Sequence, residues 1–243
     1  MSIPLPGVCL ITGAASDIDL TGLEETRKQI AEADANTCVE IRQVNIADEA
    51  SVNHMVDSCV SIFGRVDYAL NIAGVVPQRK KIAELELEVY DRTIHINEYG
   101  TWLCHRSELR QMMKQTPLEG SDTRGSIVSV SSLAGINASS GMSAYCASKH
   151  SIVGFAKTDA QGYGPHGIRI NVVCPGMIDT DLFRLTSPSD APAKLSAITP
   201  ARRLGSTEDV GWLLAFLCGE KSSFIHGAVI PCDGGLALQR GVI

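Results

Sequence analysis

The sequence predicts an α/β protein with a Rossmann-like, doubly wound parallel sheet, formed as a single domain over residues 1–243. Short apolar, β-branched runs alternate with longer amphipathic segments along the chain, which is typical of parallel strands joined by crossover helices. The short runs are continuously apolar, as expected for strands that helices cover on both faces. A chain of 243 residues is also long enough to bury one large core.

The predicted strands and helices follow from these runs. The strands are Val8–Thr12, Cys38–Asn45, Tyr68–Ile72, Ser126–Val130, Ile168–Val173 and Ala228–Pro231, and the helices are Gly22–Ala33, Glu49–Phe63, Glu84–Lys114, Ser143–Tyr163 and Thr207–Leu217. The polar segment Thr116–Arg124 is predicted to be a loop. A second, longer irregular segment, residues 177–199, is predicted to be a substrate lid, because long loops in compact domains usually serve binding.

Composition excludes several classes of protein. Lys and Arg number 21 against 27 Asp and Glu, and this acidic balance argues against a nucleic-acid or anionic-membrane partner. No window approaches 18 apolar residues, and the first residues lack a secretory signal pattern, so we expect neither a membrane span nor export. Eight cysteines without a C-x-x-C pair indicate no metal site and a reduced, cytoplasmic compartment.

The strongest chemical signal is the pair Tyr145 and Lys149. On a helix, residues four apart share a face, so the phenol and the ammonium should lie close together. A free tyrosine has a pKa of about 10, and a neighbouring cation is expected to lower that pKa toward neutrality. Taken alone, a Y-x-x-x-K pattern is also common in purely structural helices.

Further polar or small residues follow other predicted strands. Ser131 and Ser132 come after Ser126–Val130, and the segment Asn71–Gly74 ends another strand. A Pro175-Gly176 pair opens the loop after Ile168–Val173, and Thr12-Gly13 follows the first strand as a phosphate-binding turn would. The carboxyl ends of parallel strands meet at one edge of a sheet, where open α/β folds bind ligands. We therefore expect these residues to form one site with Tyr145.

In their order and spacing these motifs resemble the classical short-chain dehydrogenase/reductase family, from about Gly7 to Leu238. The resemblance implies an enzyme that transfers a hydride between NAD or NADP and a small-molecule carbonyl or secondary alcohol. It also implies a homodimer or homotetramer, formed through the helices that contain Asn97 and Tyr145.

The resemblance assigns roles to particular residues. Tyr145 would be the general acid/base, Lys149 would lower its pKa and bind the nicotinamide ribose, Ser132 would bind the substrate oxygen, and Asn97 would hold the water of a proton relay. Ser132 matches the family's spacing to the tyrosine better than Ser131 does. The implied cofactor-binding residues are Gly13, Ser16, Asp17, Asn45, Ile46, Asn71, Ala73, Gly74, Tyr145, Lys149, Pro175, Gly176, Ile178 and Thr180.

The phosphate-binding turn departs from the family pattern T-G-x-x-x-G-I-G. In one alignment Asp17 and Asp19 replace the second and third glycines. In the other, which we prefer, Asp17 begins the segment after the family's second strand, and about 20 residues carrying the first crossover helix and that strand are absent. If that segment exists in the molecule, Asp17 would be the ribose-binding carboxylate, which favours NAD because a carboxylate repels a 2′-phosphate.

The second alignment leaves two interpretations open: either the protein lacks these residues, or they exist in the molecule and are missing from this sequence. The strand Val8–Thr12, the helix Gly22–Ala33 and the strand Cys38–Asn45 could still form a right-handed crossover unit. The loss of the helix N-terminus that normally holds the pyrophosphate would weaken cofactor binding. The alternative to an oxidoreductase is therefore a non-catalytic member of the family that acts as a dimerising or scaffold protein.

Overall fold

A parallel five-stranded sheet lies at the centre of the molecule in the computed structural model, which describes residues 7–13 and 20–238. Its order follows the chain: β1 (Cys9–Thr12), β2 (Tyr68–Asn71), β3 (Gly125–Val130), β4 (Ile168–Pro175) and β5 (Val229–Cys232). All four pairings are parallel. The predicted α/β class is confirmed, as are five of the six predicted strands to within two residues at each end.

Within residues 7–13 and 20–238, eight α-helices connect and cover the strands. They are α1 (Leu20–Ala33), α2 (Glu49–Phe63), α3 (Leu87–Ile94), α4 (Thr101–Met112), α5 (Ser143–Tyr163), α6 (Asp181–Thr186), α7 (Ala191–Ile198) and α8 (Thr207–Cys218). Local capping explains several ends: the Asp48 side chain accepts from the Ala50 amide at the start of α2, and Ser206 with Asp209 forms a capping box on α8. None of the described helices is long and apolar enough to cross a lipid bilayer.

The core lies on both faces of the sheet, so the doubly wound arrangement is confirmed. On one face Ile127 and Ile170 pack with Ile152 of α5 and Met112 of α4. On the other face a second cluster packs against α8, and it contains Tyr68, Leu70, Val128, Val173 and Leu217. Neighbouring residues of β3 thus pack into clusters on opposite faces of the sheet, because successive side chains of a strand point to opposite faces.

The predicted strand Cys38–Asn45 is wrong. These residues form no ladder, and of them only Val44 is buried, packing with α2 residues. These residues form no ladder because the strand that would lie between them and β1 is missing from the described sheet. Within the described residues β1 pairs only with β2, and Ile11 on it is 41% exposed. In a Rossmann sheet another strand separates this segment from β1, so without that strand it has no backbone partner.

Helix α1 is also poorly packed, as expected if a strand is missing beside β1. Only Leu23 of its 14 residues is buried, although a helix that packs on a sheet normally buries a full stripe. The predicted strand–helix–strand crossover is therefore not formed. The open edge of β1 and the thinly packed α1 both favour the alignment in which a crossover helix and a strand are missing.

Two other predictions need correction. The single helix Glu84–Lys114 is divided into α3, a π-helical turn (His95–Gly100) and α4, along one continuous right-handed helical path. A π-turn accommodates one extra residue and is frequent at functional sites. The segment 177–199 is not irregular, because it contains α6 and α7; the Thr180 hydroxyl caps α6 by accepting from the Phe183 amide.

Candidate active site

The predicted site residues come from four elements at the carboxyl edge of the sheet. Ser132 lies two residues beyond β3, Gly74 lies three residues beyond β2, Asn97 lies in the π-turn, and Tyr145 and Lys149 lie on α5. Contacts between the end of β3 and α5 bring these side chains together, as described below. The structure thus brings these five residues together.

Tyr145 lies on the face of α5 that is turned toward Ser132. The Ser132 side chain lies close enough to the Tyr145 phenol to favour a lower pKa of that phenol, and it accepts a hydrogen bond from the Ala134 amide at 3.1 Å. The Lys149 ammonium lies 5.8 Å from the centroid of the Tyr145 ring. The i, i+4 spacing therefore places phenol, hydroxyl and ammonium in one cluster, as predicted.

Lys149 is almost completely buried. Its Nζ donates to the carbonyl oxygen of Val130, the last residue of β3, at 3.0 Å. Burial lowers the pKa of Lys149 to about 8, because an ammonium ion is poorly solvated there. Among the described residues, the Val130 carbonyl accepts a hydrogen bond from one of the three protons of the Lys149 ammonium. The other two protons are available to a ligand.

The pKa of Tyr145 does not follow the sequence-based expectation. Burial raises this pKa, and the hydrogen bond from Ser132 only partly opposes the effect. Lys149 was expected to lower it, but its ammonium donates to the Val130 carbonyl rather than to the phenol. In this state desolvation outweighs the attraction of the neighbouring cation.

Asn97 is fully buried in the π-turn and is fixed by three hydrogen bonds. Its amide bonds the Val75 backbone twice, accepting from the N–H at 2.8 Å and donating to the carbonyl at 2.9 Å. It also donates to the Ser148 hydroxyl at 3.2 Å. Asn97 is therefore held rigidly against the segment after β2.

Gly74 lies where Asn97 and Lys149 converge. A Cβ added at this glycine would lie 3.1 Å from Asn97 Oδ1 and 3.5 Å from Lys149 Nζ. The backbone here thus passes directly over both side chains. A larger residue would intrude between the amide and the ammonium.

Ser131, unlike Ser132, makes a structural contact with the backbone of α5. Its hydroxyl is buried and donates to the Lys149 carbonyl oxygen at 2.7 Å, joining the end of β3 to α5. Gly135 packs so tightly here that an added Cβ would lie 2.1 Å from Ser131 Oγ. This placement supports the preference for Ser132 as the residue that faces the reaction.

The phosphate-binding turn is described only at its start. Gly13 has a φ of 78°, and a Cβ there would lie 2.4 Å from the Ala73 nitrogen, so only glycine fits. This close approach places Ala73 beside the end of β1, as the cofactor assignment requires. Ser16 and Asp17, the other predicted residues of this turn, lie outside the described residues.

Three predicted cofactor residues serve local packing in this structure. The exposed Asn45 accepts from the Ala47 amide at 3.1 Å, and Ile46 is buried beneath Gly100 of the π-turn. Asn71 is turned toward α4, where it donates to Glu108 at 2.9 Å.

The loop after β4 begins as predicted. Pro175 is the last residue of β4, and the Gly176 amide donates to the Cys232 carbonyl of β5 at 3.0 Å. Ile178 forms an isolated parallel bridge with Gly205, and Thr180 then caps α6. The segment is thus anchored at its base before it enters the two short helices.

Sequence reasoning missed two groups of side chains. Ser148 connects Asn97 to α5 and donates to the Tyr145 carbonyl at 2.8 Å; its position next to Lys149 was the available signal. Glu108 and His105 are buried in α4 among apolar residues, and no local pattern in the sequence announces them. Across the described ranges no cluster of His, Cys, Asp or Glu could hold a metal ion.

Comparison with known proteins identifies the family. A family model described as enoyl-(acyl carrier protein) reductase matches residues 13–237. Short-chain dehydrogenase/reductase ABA4 of Pyricularia oryzae is 33% identical over 260 residues, covering 96% of this chain and 93% of its own. Levodione reductase of Leifsonia aquatica is 29% identical over 226 residues, covering 90% and 82%.

Solved structures agree with this family. A crystal structure of levodione reductase aligns with a TM-score of 0.88 at 27% identity, covering 96% of this chain and 98% of that one. ElxO with NADP bound aligns with a TM-score of 0.81 at 27% identity, covering 97% and 100%. The chain belongs to the short-chain dehydrogenase/reductase family. It is an oxidoreductase of the kind that acts on CH–OH and C=O groups, and these relatives support a nicotinamide cofactor.

The comparison also bears on the two alignments of the phosphate-binding turn. The alignment with ABA4 runs over 260 positions, more than the 243 residues of this chain, so that relative has positions with no counterpart here. This agrees with the open edge of β1 and with the shallow packing of α1.

Proposed function

We propose that this chain interconverts a carbonyl and a secondary alcohol with NAD or NADP, using Tyr145 as the general acid/base. One observation carries the proposal: the Ser132 hydroxyl lies beside the Tyr145 phenol, and the buried Lys149 ammonium lies 5.8 Å from the centroid of the same ring. A proton donor, a second hydroxyl and a cation thus converge beside the open backbone of Gly74.

Each of these groups has a distinct task in carbonyl reduction. The nicotinamide, when bound, supplies the hydride. Tyr145 donates its phenolic proton to the substrate oxygen as negative charge develops there, and Ser132 donates a second hydrogen bond to the same oxygen. Two fixed donors in a site shielded from water stabilise developing alkoxide charge, and one such donor contributes about 3 kcal/mol.

Lys149 and Asn97 support the proton transfer. The Lys149 ammonium has two protons available for the ribose hydroxyls of the cofactor and compensates the negative charge left on Tyr145. Its pKa of about 8 permits it to give up and regain a proton near neutral pH. Asn97, fixed beside Lys149, is placed to hold a water molecule that leads protons to solvent.

The residues fit the nicotinamide half of the cofactor. Lys149 offers hydrogen-bond donors, Gly74 leaves room over them, and Gly13 allows the close approach of Ala73. Binding of the adenosine half of the cofactor is assigned to Ser16 and Asp17. If Asp17 holds the adenosine ribose, the enzyme prefers NAD, and an Asp17→Asn variant should bind NADPH more tightly relative to NADH.

We further propose that residues 177–199 close over the substrate as a lid of the single domain 1–243. Leu182 and Leu185 of α6 are exposed, at 44% and 84%, which suits a lid that buries apolar surface when it closes. This favours a substrate with an apolar part. Levodione, the substrate that the name of one relative implies, is the first compound to test.

A homodimer or homotetramer forms, in this proposal, through the face of the π-turn and α4. Three aromatic side chains stack along that face, His95 on Tyr99 at 5.0 Å and Tyr99 on Trp102 at 6.2 Å between ring centroids. They line an open groove of about 720 Å³ together with Phe155 of α5. We place the assembly in the cytoplasm, without a nucleic-acid or membrane partner.

The activity test uses levodione with NADH and with NADPH, followed by the loss of reduced-nicotinamide absorbance. Turnover by the wild-type chain that is lost in Tyr145→Phe supports the proposal. The non-catalytic alternative is favoured by the gap beside β1 and predicts that neither nucleotide is bound or oxidised. Undiminished turnover in Tyr145→Phe would contradict the assignment of the acid/base.

A further inference from the structure

A buried polar pair outside the proposed reaction joins β2 to α4. Glu108 is completely buried, and its Oε2 accepts a hydrogen bond from Asn71 Nδ2 at 2.9 Å. The two remaining oxygens of the same pair, Glu108 Oε1 and Asn71 Oδ1, are buried without a hydrogen-bond partner among residues 7–13 and 20–238. Unsatisfied buried oxygens of this kind are rare in folded proteins and require an explanation.

The ionisation state of Glu108 decides whether these atoms can be satisfied. An ionised carboxylate only accepts hydrogen bonds, so both oxygens would stay unpaired and a charge would be buried. A neutral carboxylic acid carries one O–H donor. A carboxylic acid and a primary amide can form two hydrogen bonds side by side, with N–H donating to one carboxyl oxygen and O–H donating to the amide oxygen.

We propose that Glu108 is protonated at neutral pH, that its Oε1–H donates to Asn71 Oδ1, and that it acts as a positioning residue for the segment Asn71–Gly74. Its role in cofactor binding rests on the proposed function, whereas its protonation does not. Asn71 ends β2, Ala73 contacts Gly13, and Gly74 lies over Asn97 and Lys149. Two hydrogen bonds to Glu108 would hold Asn71, and therefore the start of the segment Asn71–Gly74, in a fixed position.

The surroundings of Glu108 favour the neutral acid. Burial is the main cause that raises the pKa of this carboxyl. The titratable groups that face it are His105, one turn earlier on α4, and the Cys9 thiol of β1. On α2, the neutral Asn53 accepts from the hydroxyl of Ser107, the residue that precedes Glu108 in the chain.

Two neighbours favour an ionised Glu108: the hydrogen bond that Asn71 donates to it, and His105 if that ring carries a charge. His105 Nε2 is hydrogen-bonded with Ser129 Oγ at 2.5 Å, and its Nδ1 lies 3.3 Å from Asp159 Oδ2 of α5. Both ring nitrogens are therefore engaged away from Glu108. Asp159 is the carboxylate beside His105, so a positive charge on that ring would already have its partner.

Infrared spectroscopy tests the protonation directly. The spectrum of the wild-type protein minus that of Glu108→Gln at pH 7 should show the C=O stretch of a protonated carboxyl, with a downshift in D₂O. A difference spectrum that contains only carboxylate bands would overturn the proposal. Should Glu108→Gln fail to fold, wild-type protein labelled with ¹³C in glutamate gives the same test by NMR, since one δ-carbon should keep its protonated shift at pH 7.

Stability against pH provides a second readout. A carboxyl whose folded-state pKa is raised binds a proton that the unfolded chain has released, so stability falls as pH rises between the two pKa values. The unfolding equilibrium constant of the wild type should rise by about tenfold per pH unit in that window relative to Glu108→Gln. Glu88→Gln, the same change at an exposed position on α3, should leave the wild-type slope in place. Parallel profiles for wild type and Glu108→Gln would overturn the proposal.

The positioning role is tested by nucleotide binding. Glu108→Gln can form both hydrogen bonds to Asn71 and should bind NADH as the wild type does, whereas Glu108→Ala should raise the NADH dissociation constant several-fold. If both variants bound NADH equally, Glu108 would have no positioning role, while the proposal that it is protonated would still stand. A wild-type protein that binds no nucleotide would instead contradict the proposed function, while the infrared result would still stand.

Discussion

The ammonium of Lys149 donates a hydrogen bond to the backbone carbonyl of Val130, 3.0 Å away, and so connects the middle of α5 to the end of β3. The Ser131 hydroxyl makes a second connection in the opposite sense, donating to the Lys149 carbonyl at 2.7 Å. Ser132, the next residue, is thereby held where its hydroxyl meets the Tyr145 phenol. The geometry of the proposed acid/base thus depends on two structural bonds that involve no substrate.

Replacing Tyr145 with Phe should abolish most turnover and leave the fold unchanged. The substitution removes only the phenolic oxygen, and a positioned acid/base contributes about 10²–10⁴-fold to the rate. Tyr163→Phe is the matched control, because Tyr163 ends the same helix but lies away from Ser132. Steady-state reduction of a carbonyl substrate measures both variants. Equal losses in the two would mean that Tyr145 has no special role.

The adjacent serines should respond differently to substitution by Ala. Ser132→Ala removes a donor to the substrate oxygen, so kcat should fall by about 10²–10³-fold, while the loss of the acceptor for the Ala134 amide should cost about 1 kcal/mol of stability. Ser131→Ala leaves the buried Lys149 carbonyl without its donor and should cost about 1–3 kcal/mol in the free energy of unfolding. Kinetics and urea denaturation of both variants separate these effects. A loss of kcat confined to Ser131→Ala would reverse the assignment.

Lys149 should make stability depend on pH above about 8. Its folded-state pKa of about 8 lies below the ordinary value of 10.5, so the buried charge is unfavourable at all lower pH values. As pH rises from 8 to 10.5 the folded protein has lost the proton and the unfolded chain still binds it, so stability rises, by about 3 kcal/mol in total.

Lys149→Met supplies the reference for that measurement, since it fills similar space without a titrating group. The free energy of unfolding of the nucleotide-free wild type, minus that of Lys149→Met, should be flat below pH 8 and should increase above it. A difference that decreases above pH 8 would show that the ammonium stabilises the apo fold.

The aromatic face of the π-turn and α4 should mediate self-association. Trp102→Glu places a charge in the stacked cluster, beside a second copy of itself in a symmetric dimer, and should shift the protein toward monomer. Trp102 is half-exposed, with the Arg106 guanidinium 5.4 Å from its ring. Ile62→Glu changes a similarly exposed residue on α2 and should leave the assembly intact. Sedimentation velocity reports the masses, and an unchanged assembly in Trp102→Glu would exclude this face.

Much of this architecture could be predicted because the signals are local. The apolar runs of β3 and β4 and the amphipathic pattern of α2 and α5 each lie within one segment, and the predicted bounds of both helices match those in the structure. The relation between Tyr145 and Lys149 follows from helical spacing alone. The preference for Ser132 over Ser131 came instead from the resemblance to the family's spacing, and it stays a prediction.

The failures concern features that depend on distant residues. Cys38–Asn45 has the composition of a strand, but a strand needs a neighbour, and the described chain has none beside it. The π-turn at Asn97 is stabilised by the backbone of Val75, 22 residues away. The bond from Asn71 to Glu108 joins residues 37 apart, so no local pattern could reveal it.

Binding of reduced nicotinamide to the purified chain tests the central claim most directly. Titration with NADH and NADPH, followed by nicotinamide fluorescence, should show micromolar binding of at least one nucleotide. Tyr145→Phe should retain that binding, and Lys149→Met should weaken it. No binding at millimolar concentrations of either nucleotide would contradict the account.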